Sequence, residues 1–364
     1  MRSTPIYINA RFLTQPVTGV QRFAIELSRQ LKYSGLDVHF VAPQNILQKD
    51  IARDLQPIIF GKLQGHLWEQ IELPFFLRRR KSPLLINFAN TAPLLYGNQI
   101  VTIHDLAFRV NPAWFSKAFT GYYNFLIPKI ARNAKKILTV SNSIKQELEN
   151  AFDLSHDKIE VVYNAASITS VKLNATEEII KELPKKYILI VSSLDARKNF
   201  SRLIKAFGLI KSKNVTLLII GGKNKIFADS TEHQSITGAN SIKFMGYVSD
   251  QQLRLLYENA TIFIYPSLYE GFGIPNLEAM QASCPVITSN IEAIKEVCSD
   301  AVAYIDPYDE EEIAKKIDLL LSDEDLREEL RHKGFARSQQ FTWEKSAAKL
   351  IRTIQEVASP SQFR

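Results

Sequence analysis

TIFIYPSLYEGFGIPNLEAM, residues 261–280, runs from an apolar strand through a glycine-rich turn into a helix opened by proline. The strand is rich in β-branched and aromatic residues, and Pro275 suits a first helical turn, where its missing N–H costs nothing. Gly271 and Gly273 leave the backbone amides of the turn uncovered. Together with the helix N-terminus they offer a site to a phosphate. A carboxylate stands on either side, Glu270 and Glu278. An acidic side chain beside a phosphate site is repelled unless it is occupied elsewhere, and vicinal hydroxyls would occupy it. Two diol acceptors around such a turn describe a nucleotide-sugar, with Glu270 taking the sugar and Glu278 the ribose.

The same alternation of strand and helix extends in both directions, which predicts parallel α/β architecture. Strands are expected at PIYINA, DVHFVAP, PLLINFA, QIVTIHDL, KILTVS and IEVVYN, with helix patterns at Gly19–Leu31 and Pro128–Ala134. After a polar, charged interval the pattern restarts with YILIVSS, VTLLIIGG, SIKFMG, TIFIYPS, CPVITS and AVAYIDP, and a helix near Phe200–Ile210. A chain of 364 residues exceeds the size at which one core keeps growing. The expected division is therefore 1–171, a linker 172–186, a second domain 187–342, and a final segment 343–364. Two doubly wound units in sequence would place a cleft between them, with ligands beyond the carboxyl ends of the strands.

Charge and composition narrow the partners. The net charge of +7 admits nucleic acid, anionic lipid or an anionic small substrate. No zinc-finger, homeodomain or RNP pattern is present, so no nucleic acid is expected. The densest cationic cluster, RRRK at 78–81, follows LWEQIELPFFL. It reads either as a solvated loop after a buried helix or as a patch that meets anionic membrane headgroups. Cys284 and Cys298 have no metal-ligand spacing and are expected to be buried free thiols in a reducing compartment. Neither a secretory leader nor a membrane-spanning run is visible, and no Asp-x-Asp or other metal-binding pattern is found, so no metal is expected.

Chemistry is then sought after each strand. Gly19, in QPVTGVQRF, permits close backbone approach where a helix begins, and His104 ends the strand QIVTIHDL, placed to meet a sugar hydroxyl or a leaving phosphate. Arg197 and Lys198 precede a helix whose expected cap is Asn199; cations there are unfavourable, which suggests a compensating diphosphate, with Lys198 the preferred contact. Gly221, Gly222 and Gly246 end strands as candidate close-approach loops.

EGFGIPNLEAM, with TGVQRF, VTIHDL, SLDARKNF, CPVITSN and FTWEKSAAKL, resembles the retaining glycosyltransferases of family 4 over nearly the whole chain. The resemblance implies a GT-B fold: two Rossmann-like domains facing across a deep cleft, the C-terminal helix after Trp343 crossing back to the first. It gives His104, Lys198 and Glu270 catalytic roles, and assigns Gly19, Arg197, Lys198, Gly246, Glu270, Gly271, Phe272, Gly273, Ile274 and Glu278 to the donor. Phe272, Gly273 and Ile274 would supply amides. One departure stands out: Ser193 occupies the place where many members carry an arginine, so Arg197 or another cation would supply that charge. The resemblance further implies retention of configuration, no divalent metal, and no cofactor beyond the donor substrate. It favours GDP-mannose as donor and an oligosaccharide or polyprenyl-linked saccharide as acceptor in O-antigen or other surface polysaccharide synthesis. The expected location is cytoplasmic, peripheral on the inner membrane. A UDP-sugar transferase, a non-catalytic sugar-nucleotide-binding subunit and a sugar-nucleotide epimerase are the alternatives.

Overall fold

The structure is a computed structural model that describes residues 5–168, 183–193, 195–222, the backbone of 234–237, and 240–358. Most of the expected linker 172–186 lies outside the described residues. Contacts divide the chain into two compact units, Met1–Ala165 with Thr342–Arg364, and Ala166–Phe341.

In the first unit the apolar runs become β1 (Ile6–Asn9), β2 (Val38–Ala42), β3 (Ile58–Ile59), β4 (Leu84–Asn87), β5 (Gln99–Thr102), β6 (Lys136–Thr139) and β7 (Ile159–Val161). They form a parallel sheet in the order β3-β2-β1-β4-β5-β6-β7. The two-residue edge strand β3, which the sequence did not announce, is exposed; the other strands are mostly buried and need little polar alternation, which is why they read as apolar stretches. The order reverses between β1 and β4, and crevices at such reversals receive ligands. The helix Trp343–Ala358 packs within this unit, where Trp343 meets Phe23 edge-on at 6.2 Å and Ser346 donates to the Tyr163 carbonyl at 2.7 Å.

The second unit has β8 (Tyr187–Val191), β9 (Thr216–Ile220), β10 (Gln234–Thr237), β11 (Asn240–Gly246), β12 (Ile262–Tyr265), β13 (Val286–Ser289) and β14 (Ala303–Ile305). Their order is β10-β11-β9-β8-β12-β13-β14, parallel except for the edge strand β10, and it reverses between β8 and β12. Ile188, Ile190, Ile219, Ile264 and Ile287 pack against the helices Phe200–Leu209 and Glu310–Ser322 as its core. Each unit is Rossmann-like. Cys284 and Cys298 are buried free thiols, and burial pushes both up to about 12.

Two local expectations are corrected. The helix expected from Pro128 begins eleven residues earlier, at Lys117, and Pro128 lies inside it. Its ring frees the carbonyl of Asn124, four residues back, which belongs to an exposed residue that water can serve. Asn199 does precede the helix Phe200–Leu209, but its side chain caps nothing there. It adopts a left-handed φ of 61° and donates instead to the carbonyls of Pro266 and Pro307, at 3.1 and 2.7 Å.

Candidate functional site

The reversal point of the second sheet is where chemistry collects. Beyond β8, Asp195 caps a single turn, Ala196–Lys198, by accepting from the Arg197 amide at 3.1 Å. Beyond β12 the chain passes through Pro266 and Ser267 to Glu270. The two loops are stitched together: Leu268 N–H donates to the Arg197 carbonyl at 2.8 Å, and Asn199 holds the Pro266 carbonyl. Lys198 and Glu270 thereby meet, both buried, with Nζ 2.5 Å from Oε1. Tyr265, the last residue of β12, donates to the same Oε1 at 2.9 Å and accepts from Lys198 at 2.6 Å, and Ser267 Oγ donates to it at 2.7 Å.

Burial alone would drive both charges toward neutrality, but the pair reverses that: the Lys198 ammonium is raised and the Glu270 carboxyl lowered. Burial and the adjoining carboxylate push the Tyr265 phenol up to about 12, so it stays a donor. All three donors converge on one carboxylate oxygen; among the described residues none bonds Oε2. Lys198 spends two of its three protons, on Glu270 and Tyr265.

Gly271, Phe272 and Gly273 follow, all buried. Gly273 takes φ 85°, a left-handed conformation that glycine adopts without strain, and opens the helix Ile274–Gln281. A first helical turn leaves its amides without intrahelical acceptors; Pro275 has none to offer, and the Asn276 amide bonds the Gly273 carbonyl at 3.0 Å. Glu278 lies on the second turn, half-buried, and accepts from the Tyr257 hydroxyl at 3.1 Å. Arg197 lies beside Asp195 at 3.7 Å, and Ser193 donates to Asp195 at 2.7 Å, so the place of the expected arginine holds part of the cap. Gly246 ends β11 at φ 68°, with open space where a side chain would stand, and its carbonyl accepts from Gly221. Gly221 is the position that demands glycine, because an added Cβ would lie 1.8 Å from the Ser192 carbonyl oxygen.

Gly19 and His104 belong to the first unit. Gly19 begins the helix Gly19–Lys32, capped by Thr18, and Phe23 of that helix meets the His104 ring edge-on at 5.0 Å. His104 is buried and its pKa lowered, first by desolvation. Its Nε2 lies 2.8 Å from the Phe88 carbonyl, so Nε2 carries the proton and the neutral ring keeps a lone pair on Nδ1.

Sequence reasoning missed a second cluster, at the reversal point of the first sheet. Asn9 and Asn87 end β1 and β4 in register with each other. Asn9 bonds Asn87 and the fully buried Glu69, which also pairs with Arg11 at 3.1 Å and accepts from Thr91 at 2.8 Å. Burial would raise the Glu69 carboxyl, yet Arg11 and its hydrogen bonds hold it at about 2. The available signal was an Ile-Asn pair closing two apolar strands. The second unit's cluster likewise includes Tyr265 and Ser267, which carried no motif of their own.

Comparison with known proteins agrees with this architecture. Residues 17–169 match Glycosyltransferase Family 4 and residues 173–337 match Glycosyl transferases group 1. The O-antigen chain mannosyltransferase B of Escherichia coli is 29% identical over 92% of this chain and 95% of its own. The O-antigen chain mannosyltransferase RfbU of Salmonella typhimurium is 31% identical over 62% of this chain and 64% of its own. Among solved structures, Anabaena HepE in complex with UDP and glucose superposes with a TM-score of 0.75 at 16% identity, covering 97% of this chain and 100% of its own.

Proposed function

The chain is a GT-B glycosyltransferase related to bacterial O-antigen mannosyltransferases, and from that premise we propose how it works and on what. It transfers a hexose from a nucleotide-sugar to a saccharide acceptor, with retention at the anomeric carbon and without a divalent metal. The observation that carries this reading is the Lys198–Glu270 pair beside an open helix N-terminus, with one carboxylate oxygen fully engaged and the other not.

Oε2 of Glu270 accepts the hydroxyls of the donor sugar, and Glu278 those of the ribose. As the sugar leaves, negative charge grows on the β-phosphate. The third Lys198 proton and the amides of Phe272, Gly273 and Ile274 stabilise it there more than in the ground state, which lowers the barrier. Arg197, Gly246 and Gly271 line the donor. The family resemblance also gives donor roles to Gly19 and His104, and in its own unit His104 carries on Nδ1 the lone pair that such a role, accepting a hydroxyl, requires. The leaving phosphate helps take the acceptor proton as attack proceeds from the same face.

For the donor, the broad reading of a nucleotide-sugar has the widest support. The sequence relatives are named for mannose transfer, which favours GDP-mannose. HepE was solved with UDP and glucose, which supports the UDP-sugar alternative at least as well. A polyprenyl-linked saccharide at the cytoplasmic membrane face is the proposed acceptor. The test is release of nucleoside diphosphate from GDP-mannose and from UDP-sugars, with and without EDTA. Slow turnover of one donor that persists in EDTA is expected, and Glu270→Ala should lower it by about 10²-fold or more while free nucleotide binds nearly as before. No turnover of any donor with saccharide acceptors present would overturn the reading; release of UDP alone would replace mannose.

A further inference from the structure

We propose that the helix spanning residues 65–78, with the basic turn that ends it, docks onto an anionic lipid bilayer. The segment is one continuous helix whose middle, Trp68–Glu72, is wound as a π-helix between Gly65–Leu67 and Leu73–Arg78. Trp68, Glu69, Leu73 and Leu77 face inward and are wholly buried. The widened turn keeps residues four apart in line on the opposite side, and there Leu67, Ile71 and Phe75 are 61%, 57% and 55% exposed. Leu95, 70% exposed, adjoins the stripe, because Arg78 Nη2 donates to its carbonyl at 2.7 Å. A row of large apolar side chains left in water marks an interaction surface.

The charge beside it selects the partner. Arg78, Arg79, Arg80 and Lys81 are all exposed, and among the described residues no carboxylate pairs with any of them. The Arg79 guanidinium stacks 4.3 Å over the Phe75 ring and that of Arg80 3.6 Å over Phe76. Lys81 and Ser82 both take left-handed φ, and the Ser82 amide returns to the Leu77 carbonyl, so the chain doubles back and the cations gather at the helix end. An apolar stripe flanked by unneutralised cations is the pattern of a helix lying in a headgroup layer. No described helix is long and apolar enough to cross a bilayer, so the contact is made from the surface. The inference rests on this geometry and deepens the acceptor part of the function proposed above, since a lipid-linked saccharide is presented at that surface.

Flotation with vesicles of phosphatidylcholine, alone or with 30% phosphatidylglycerol as the probe, tests it. The protein should float with the anionic vesicles and lose binding in high salt. Ile71→Ser/Phe75→Ser and Arg78→Ala/Arg79→Ala/Arg80→Ala should each lower binding at least tenfold, given about fivefold per cation near such a surface. These exposed substitutions should leave the melting temperature and nucleotide binding unchanged, so failure of docking and failure of the donor reading show separately. Binding to neutral vesicles alone, no binding by the wild type, or wild-type binding by both variants would overturn the proposal. So would self-association through the stripe without vesicle binding.

Discussion

Lys198 and Glu270 are 72 positions apart, and the sequence assigns them separate partners, a diphosphate and a sugar. The structure makes each the other's counter-charge. A buried charge left without its partner is more costly than a buried pair is helpful, so removing one side should cost about 3–5 kcal/mol. Lys198→Met and Glu270→Gln should each lower stability in urea by an amount of that order. The double variant should recover much of the loss without regaining donor turnover, for which the proposed mechanism uses both charges. Additive losses in the double variant would show that the two side chains do not act as a pair. Asn276 is the opposite case at this scale: both its side-chain polar atoms are buried without a partner among the described residues, one residue past Pro275. Nothing in the sequence distinguishes such an asparagine from a capping one.

At the scale of elements, helix 65–78 joins the first unit's reversal point to its surface. One side carries Glu69 into the Asn9–Asn87 register, and the other carries the exposed stripe. Glu69 titrates at about 2 in the folded chain against 4.5 for an ordinary glutamate, so its ionised form favours folding. That contribution, about 3 kcal/mol, is fully present above pH 4.5 and is lost as pH falls toward 2. Urea unfolding measured from pH 5 to pH 2.5 should therefore show a steeper fall for the wild type than for Glu69→Gln. Parallel curves would mean that Glu69 is not held ionised by Arg11. The π-wound middle of this helix was not legible, because the same residues fit an ordinary buried helix and only the packed structure shows which faces are covered.

At the scale of the whole molecule, the inner strands were legible because parallel sheets covered on both faces require unbroken apolar runs, whereas the short edge strands β3 and β10 were not. The loops that follow those strands were legible wherever glycine or a polar residue interrupts the run, which singled out Gly19, His104, Lys198, Gly246 and Glu270 as candidates. Contacts that depend on strand order were not: Asn9 and Asn87 become neighbours only when β4 is laid beside β1, and Tyr265 reaches Lys198 only because β8 and β12 are adjacent. Helix starts were less legible than strands, as Lys117 shows, since a proline reads as a beginning even where it lies inside.

The most direct test of the donor site is calorimetric titration of the protein with GDP, UDP and ADP, alongside Glu278→Ala. One nucleoside diphosphate should bind, and the substitution should weaken it about tenfold or more, the loss of a charged hydrogen bond to the ribose. Binding of none of the three to the folded protein, or equal binding by Glu278→Ala, would contradict the placement of a nucleotide-sugar at this turn.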